Sequence, residues 1–213
     1  MITVVITSCG RLDLLDRTIS SFLQFNTYPI SGFIIVDDSG DQDIHVQLMG
    51  RYPNYELILK EHRGQVECID DAYSRVTTPY IFHCEDDWEF TKGGFMEPSL
   101  TILESNPKVM LVWLLHPNID IEPEILKADD IEYRLAGNDP TETWHGFTWN
   151  PSLRRISEYN LVKPYSQFIL NENSAVTECG IGQTLYEKGF KAAILNDEYC
   201  HHIGGHNPKR ITL

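Results

Sequence analysis

Three adjacent carboxylates, Glu85, Asp86 and Asp87, are the residues of this sequence with the clearest capacity for chemistry. They directly follow an apolar run and are flanked by Trp88 and Phe90, so they differ from a solvated run of charges. Neighbouring carboxylates repel one another unless a cation or a proton relieves the repulsion. Mg²⁺ and Mn²⁺ are held by one or two carboxylates together with phosphate oxygens. The triplet therefore indicates a divalent metal site, and the alternative is the acidic first turn of a helix.

Other polar residues follow apolar runs elsewhere in the first half of the chain. A carboxylate at Asp37 or Asp38 could accept the ring N–H of a pyrimidine base, or it could only form an Asx turn or cap a helix. Arg11 and Arg63 could bind a pyrophosphate or a base, and the alternative for each is an ordinary surface arginine. The polar candidates that follow the first three apolar runs are Thr7, Ser8, Cys9, Gly10, Arg11, Asp37, Asp38, Ser39, His62, Arg63, Gly64 and Gln65.

The end of the chain carries a second group of possible metal ligands, Cys200, His201, His202 and His206. One of the histidines could complete a metal site with the acidic triplet. A separate zinc site is a weaker alternative because the spacing fits no structural zinc pattern. The remaining alternative is a polar tail without a ligand, since chain termini often fray.

The elements that must position these residues alternate along the first half of the chain. Residues 12–23 repeat apolar side chains at helical spacing, and short apolar runs rich in β-branched residues precede and follow them. Strands are predicted at 2–7, 32–38, 55–60, 79–84, 109–115 and 191–195, and helices at 11–25, 41–52, 66–76, 95–105 and 177–190.

Strands that alternate with helices predict an α/β fold with a mostly parallel sheet covered on both faces. Ligands of such sheets bind outside the carboxyl ends of the strands, so the polar candidates should converge at one edge. Residues 117–176 contain many Pro, Asn, Asp and aromatic residues and little periodicity. We expect irregular structure with one or two strands there, which is typical of binding loops and lids.

Composition excludes several classes of function. The 213 residues include 17 basic and 31 acidic side chains, which gives a formal net charge of −14. A field of this sign repels nucleic acid and anionic membranes, and a bound nucleotide would need a cation to screen it. The sequence has no apolar run that could span a membrane and no basic start typical of a signal peptide, so we expect a cytoplasmic protein. Five cysteines without a CxxC pair argue against a disulfide framework.

Motifs that are missing narrow the choice among α/β proteins. No GxGxxG follows the first predicted strand, which disfavours a dehydrogenase-like dinucleotide site. GxxxxGK[ST] and GxSxG are also missing, which argues against P-loop enzymes and α/β-hydrolases.

Three stretches of the first 115 residues, TVVITSCGRLDLLDRTISSFL, IIVDDSGD and PYIFHCEDDWEF, together resemble the family-2 glycosyltransferases with the GT-A fold. The EDDW stretch also resembles the EDD form of the DxD motif in N-acetylglucosaminyltransferase I. The second half is similar more loosely, through TECGIGQTLYEKGF and the terminal HHIGG. The resemblance implies one GT-A domain over 1–213, with a nucleotide-sugar half at 1–115 and an acceptor half at 116–213 that ends in a metal-binding tail.

The resemblance also implies roles for individual residues. Asp87 and His202 would ligate Mn²⁺ or Mg²⁺, Asp38 would bond the uracil ring, and Glu178 and Asp86 would be catalytic, with Glu178 as the general base. The residues expected to bind the nucleotide sugar are Thr7, Cys9, Arg11, Asp38, Arg63, Gln65, Glu85, Asp86 and Lys209.

The implied activity is transfer of a hexose-type sugar from a UDP-sugar to a glycan or glycoprotein acceptor. Retention of anomeric configuration is slightly favoured over inversion, because a C-terminal histidine ligand is commoner in retaining GT-A families. Three alternatives remain open: a sugar-nucleotide pyrophosphorylase, a non-catalytic sugar- or nucleotide-binding module, and a zinc-dependent hydrolase. A pyrophosphorylase would need a loop rich in Gly and Lys after the first strand, and TSCGRLD does not provide one.

Overall fold

The computed structural model describes residues 1–114, 125–136, 144–171 and 173–205. A 3₁₀ helix occupies Tyr165–Phe168. The strands are β1 (Ile2–Ser8), β2 (Gly32–Asp37), β3 (Glu56–Leu59), β4 (Tyr80–Glu85), β5 (Trp88–Phe90), β6 (Val109–Trp113), β7 (Ile125–Ala128), β8 (Ile131–Ala136), β9 (Ser152–Arg155), β10 (Lys191–Leu195) and β11 (Cys200–His202). The helices are α1 (Leu12–Phe25), α2 (Gln42–Arg51), α3 (Gln65–Arg75), α4 (Met96–Ser105), α5 (Ile156–Val162) and α6 (Ser174–Glu187).

One large sheet dominates the described residues, with nine strands in the order β3-β2-β1-β4-β9-β6-β10-β8-β7. The pairs β1–β2, β1–β4, β2–β3 and β6–β10 are parallel. β9 is antiparallel to both β4 and β6, and β8 is antiparallel to β10 and β7. Seven of these nine strands therefore run in one direction, and the predicted mostly parallel α/β fold is confirmed.

Helices cover both faces of this sheet, because alternate strand residues enter two separate apolar clusters. Ile2, Val4 and Ile6 of β1 pack with α1, α2 and α4 in one cluster. Val5 enters the other cluster, which includes residues of α3, α5 and α6. The helical spacing recognised in α1 corresponds to its buried face, which carries Leu12, Leu15, Ile19 and Phe22. Such two-sided burial explains why β1 is apolar along almost its whole length.

The parallel register brings the polar ends of the central strands to the same level. Thr7 of β1 lies opposite Glu85 of β4, and Ser8 lies opposite Asp37 of β2. This is the carboxyl edge of the sheet, where ligands of open α/β folds bind.

The expectation for residues 117–176 was wrong in one respect. The described part of this range contains three strands, β7, β8 and β9, and the helix α5, where we expected one or two strands. β9 has the sequence SLRR, which lacks the apolar character of a central strand, yet it is inserted between β4 and β6. The arginines of β9 explain the missing signal, since burial of a guanidinium depends on tertiary partners that local periodicity cannot report.

Helix α6 also begins earlier than predicted. It starts at Ser174, because the side chain of Asn173 caps the helix by accepting a hydrogen bond from the backbone N–H of Ala175 at 3.0 Å. Among the described residues, no helix combines the length and apolarity that crossing a bilayer requires.

Candidate functional site

The acidic triplet lies where β4 passes into β5: Glu85 ends β4, and Asp86 and Asp87 form the turn. Because a strand follows it, the alternative interpretation as the first turn of a helix was wrong. The side chain of Thr18 in α1 forms hydrogen bonds with the backbone of this turn. Its hydroxyl donates to the backbone oxygen of Asp86 at 2.8 Å and accepts from the backbone N–H of Trp88 at 3.0 Å. The turn is therefore built into the core of the domain.

Arg11 binds both aspartates of the turn. Its Nε donates to Asp86 Oδ2 at 3.2 Å and its Nη1 donates to Asp87 Oδ2 at 2.7 Å, while Nη2 binds Asp86 Oδ1. Ser8 Oγ also donates to Asp86 Oδ2, at 2.9 Å. Burial raises the pKa of Asp86 to about 6, although Arg11 and Ser8 oppose this shift. One guanidinium thus offsets the repulsion that three adjacent carboxylates create.

Asp87 meets the tail of the chain, as the sequence predicted for its metal-binding pair. Strand β11 pairs with β5 and brings His202 Nε2 to 3.2 Å from Asp87 Oδ2. The backbone N–H of Ile203 donates to the backbone oxygen of Asp87 at 2.8 Å. Gly204 passes so close that a Cβ at this position would lie 2.3 Å from Asp87 Oδ2.

The donor atoms of Asp87 and His202 are suited to a divalent metal ion of a particular kind. Asp87 Oδ1 is buried and has no hydrogen-bond partner, which is unusual for a carboxylate oxygen. Within the ranges that the structure describes, no cluster of three His, Cys, Asp or Glu side chains is arranged to hold a metal ion. A structural zinc needs about four such ligands, but Mg²⁺ and Mn²⁺ are commonly completed by substrate phosphates and water. Asp87 and His202 therefore fit a metal that arrives with a diphosphate.

An open cleft of about 510 Å³ lies above the carboxyl edge, beside Arg11 and the acidic turn. It brings together seven of the nine residues predicted to bind a nucleotide sugar. Those seven are Thr7, Cys9, Arg11, Asp38, Gln65, Glu85 and Asp86. Its other lining residues are Ser8, Gly64 and Cys68. The sequence did not single out Cys68, because one buried cysteine in the first turn of a helix carries no recognisable signal.

Asp38 is one of the residues that line this cleft. Its Oδ1 accepts from the backbone N–H of Arg63 and its Oδ2 from that of Gly64, both at 2.7 Å. These bonds fix the loop that precedes α3, where Gly64 has a φ of +95°. The side chain of Arg63 leaves the cleft and forms an exposed ion pair with Glu67, with Nε 2.9 Å from Oε2. Arg63 therefore contributes its backbone to the site, and its guanidinium is not among the groups that line the cleft.

Asp37 is buried beneath the first turn of the site. Its Oδ2 accepts from the backbone N–H of Gly10 at 2.8 Å, and its Oδ1 accepts from the backbone N–H of Ser39 at 3.0 Å. Burial alone would raise the pKa of this carboxyl group, but the hydrogen bonds from Ser39, Gly10 and Ser8 together lower the pKa. Asp37 thus holds the backbone that carries Cys9 and Arg11.

Glu85 also lines the cleft. Its Oε1 accepts from the side-chain amide of Gln65 at 2.7 Å. Burial, followed by the charge of Asp87, raises the pKa of Glu85. A second carboxylate, Glu178 on α6, is close enough for the charge of Glu85 to raise its pKa as well.

Glu178 is held in a defined orientation. Its Oε1 accepts a hydrogen bond from the backbone N–H of Trp149 at 2.6 Å. Burial is the main cause that raises the pKa of Glu178 to about 7. A carboxylate with this pKa can take up or release a proton near neutral pH. Lys209 and His206, which the sequence placed near the same site, lie outside the described residues.

Comparison with known proteins was made at the level of sequence and of fold. Residues 3–159 match the family described as Glycosyl transferase family 2. No curated protein matches the chain.

Solved structures with the same fold include TarS (residues 1–349) of S. aureus, with a TM-score of 0.62 and 12% identity over 94% of this chain and 60% of that one. A mannosyltransferase of Pyrobaculum calidifontis, in complex with GDP-Man and Mn²⁺, has a TM-score of 0.65 and 12% identity over 97% of this chain and 57% of that one. TarS in complex with UDP-GlcNAc has a TM-score of 0.63 and 13% identity over 96% of this chain and 60% of that one. The chain thus spans roughly three fifths of the length of these structures, and at this level of identity the likeness establishes the fold alone.

Proposed function

Because the chain belongs to glycosyl transferase family 2, we propose that it moves a hexose-type sugar from a UDP-sugar to a glycan or glycoprotein acceptor. The observation that carries this proposal is the cleft at the carboxyl edge with its acidic turn, together with a half-buried carboxylate, Glu178, whose pKa is raised to about 7 by burial and by the charge of Glu85 in the cleft. The first group suits a diphosphate accompanied by a cation, and the second suits removal of a proton from an acceptor hydroxyl.

The donor would lie along the residues that line the cleft. Thr7, Cys9 and Arg11 would contact the nucleoside side, and Gln65 with Glu85 would contact the ribose or the sugar. Asp38 uses one acceptor position on each oxygen for a backbone N–H. An ionised carboxylate has about four acceptor sites, so Asp38 can still accept the ring N–H of uracil. Among the structural neighbours, TarS binds UDP-GlcNAc and the mannosyltransferase binds GDP-Man. The titration of UDP against GDP therefore tests which nucleotide base this chain prefers.

Asp87 and His202 would hold a divalent ion, Mn²⁺ or Mg²⁺, and Lys209 would contact the diphosphate. When bound, this ion would supply a positive charge that stabilises the departing diphosphate. Asp86 and Arg11 form a neutralised pair at the edge of the cleft, which keeps the turn in place while the donor enters.

Glu178 would act as the general base. Because its burial favours the neutral form, the ionised carboxylate readily takes a proton from an acceptor hydroxyl, which then attacks the anomeric carbon. A base in this position favours inversion of configuration, whereas the histidine in the tail had favoured retention slightly. NMR of the anomeric proton of the first product distinguishes the two outcomes.

The proposal can be tested by calorimetric titration of UDP, with GDP and CMP as controls, in Mn²⁺ and then in EDTA. UDP should bind in Mn²⁺ and lose at least tenfold in affinity in EDTA. Asp87→Asn should reduce the effect of Mn²⁺, while Asp43→Asn, an exposed change in α2, should leave it intact. If no nucleotide binds with or without metal, the proposal fails.

The alternatives give different results in the same preparation. A non-catalytic module would bind UDP-sugar but release no UDP over time. A zinc-dependent hydrolase would retain stoichiometric zinc through purification, which metal analysis would detect.

A further inference from the structure

Arg154 is a buried cation near the centre of the sheet. It belongs to β9, where its backbone lies opposite Ile81 of β4 and Leu111 of β6, and only 2% of its surface is exposed. Among the residues that the structure describes, no carboxylate forms an ion pair with its guanidinium. Burying a charge without an oppositely charged partner is strongly unfavourable. Stabilisation of the fold is therefore a poor explanation for an arginine at this position.

The guanidinium organises the turn that precedes β9. Its Nη2 donates to the backbone oxygen of Thr148 at 2.8 Å and to Ser152 Oγ at 2.5 Å. Its Cζ lies 5.2 Å from the centre of the Phe147 ring, within the range of a cation–π contact. The hydroxyl of Thr148 in turn accepts from the backbone N–H of Asn150 at 3.1 Å. Residues 147–152 are thus wrapped around one guanidinium.

This turn is the part of the chain that holds Glu178. Trp149 lies between Thr148 and Ser152, and its backbone N–H donates to Glu178 Oε1 at 2.6 Å. The Trp149 ring is buried against Phe147, with ring centres 4.9 Å apart. A shift of the Thr148 carbonyl would rotate the peptide that carries this N–H, because the two groups belong to the same peptide unit.

We propose that Arg154 is a positioning residue for the transfer reaction: it fixes the 147–152 turn so that the Trp149 N–H orients Glu178. The proposal rests on the proposed role of Glu178 as the base. Arg154 acts through the turn and through its field, and it does not touch a reacting atom.

The groups that surround Glu178 set the direction of the expected effect. Burial and the charge of Glu85 on β4 raise the pKa of Glu178, whereas the Trp149 N–H, the Thr148 hydroxyl and the charge of Arg154 lower it. The neighbouring thiol, Cys179, is neutral near pH 7 because burial raises its pKa above the ordinary value. Removal of the positive charge must therefore raise the pKa of Glu178 further.

The test uses the backbone amide of Trp149 as a reporter that needs no substrate. The chain has four tryptophans, so labelling with ¹⁵N-tryptophan gives four backbone signals, and Trp149→Phe identifies the one required. In the native protein this signal should titrate with a midpoint near the pKa of Glu178, about 7. Glu178→Gln should abolish the step.

Arg154→Met should raise the midpoint, because the positive charge that favours the ionised carboxylate is lost. Arg154→Lys should have a midpoint close to that of the native protein, because it keeps the positive charge. The Trp149 signal should still move from its native position, because Lys cannot reproduce both hydrogen bonds. Arg155→Met is the matched control. Arg155 is the next residue of β9, but it binds the Val109 carbonyl and Glu158 and does not bind the turn. If Arg154→Met destabilises the fold, Ser152→Ala gives a milder test of the same turn.

The proposal is overturned if folded Arg154→Met or Arg154→Lys gives the same titration midpoint and the same position of the Trp149 signal as the native protein. Arg155→Met should match the native protein in both measurements. The proposed function fails separately, if Glu178→Gln transfers sugar at the native rate. In that case a shifted Trp149 titration would still establish the coupling of Arg154 to Glu178. UDP binding verifies in each variant that the donor cleft is intact.

Discussion

Individual carboxylates of the site differ because their surroundings differ. Asp37 is kept ionised by backbone and hydroxyl donors, so its pKa is lowered. For Asp86 and Glu178 the effect of burial outweighs the effect of their donors, and the pKa values of these two groups are raised to about 6 and about 7. Groups whose pKa values are separated in this way can take distinct acid and base roles within one site.

At the residue scale, Glu178→Gln should abolish most of the transfer activity. A general base contributes about 10²–10⁴ to the rate, so turnover should fall by that factor while UDP binding is retained. In the native protein, the turnover rate should fall about tenfold per pH unit below the pKa of about 7, because the protonated carboxyl cannot accept a proton. The measurements are turnover as a function of pH and UDP titration.

The same substitution should stabilise the fold at alkaline pH. The folded state raises the pKa of Glu178 from 4.5 to about 7, so folded protein binds more protons than unfolded protein between these values. Stability is therefore lost as pH rises through this window, by up to about 3 kcal/mol. Urea unfolding at pH 8 should show the gain for Glu178→Gln, and the gain should shrink towards pH 5. Glu187→Gln, an exposed change on the same helix, should show no such gain.

The side chains that line the cleft could be predicted from the sequence more fully than the groups that orient Glu178. Thr7, Cys9 and Glu85 lie at or just beyond the ends of apolar strands, so the rule for parallel sheets predicted their convergence. The donor to Glu178 is a backbone N–H, and Arg154 acts from within a strand. Neither has a compositional signal, because every residue but proline has an N–H and most arginines are exposed.

At the element scale, the β5–β11 ribbon determines where Asp87 and His202, the proposed metal-binding pair, meet. Gly204→Ala should push Asp87 or the tail aside, since the added Cβ would lie 2.3 Å from Asp87 Oδ2. We expect the Mn²⁺ dependence of UDP binding to weaken by at least tenfold, as measured by calorimetry with varied Mn²⁺.

Gly205→Ala is the matched control, because a Cβ there meets nothing within 4 Å. It should leave the Mn²⁺ dependence unchanged. Equal effects of the two substitutions would mean that the tail responds to stiffening in general, and that the contact between Gly204 and Asp87 has no special role.

Helix α3 connects the cleft to the part of the molecule that contains Glu178. Its first turn contributes Gln65 to the cleft, and Asp70 further along accepts from the backbone N–H groups of Tyr165 and Ser166 at 2.7 and 2.8 Å. The 3₁₀ helix that contains these residues packs on α6, which carries Glu178. A carboxylate that caps one element from another in this way fixes their relative position.

Elements with strong periodicity were predicted correctly, and elements stabilised by tertiary contacts were not. The strands from β1 to β4 and the helices α1, α2 and α3 appear within a few residues of their expected positions. β9 escaped prediction because two of its four residues are arginines. Arg155 is accommodated by the Val109 carbonyl and by Glu158, neither of which is adjacent in sequence.

At the scale of the whole molecule, the net charge of −14 should slow the approach of an anionic donor. Raising KCl from about 20 to 200 mM shortens the range of this repulsion, so the association rate of UDP at saturating Mn²⁺ should rise a few-fold. Stopped-flow kinetics give this rate, and neutral uridine serves as the control. A rate that falls with salt would mean that the bound cation and Arg11 dominate the field at the cleft.

The central place of β9 has a consequence for biosynthesis. β4 is made early, but one of its two edges is covered only when residues 152–155 have left the ribosome. Until then the nascent chain carries an open apolar strand edge, which invites pairing with other chains. We expect the two arginines of β9 to keep this late strand itself from aggregating before it inserts, as charged gatekeepers do beside apolar strands. Arg154, which binds the turn beside Glu178, would thus act together with Arg155 to protect the protein while it is being made.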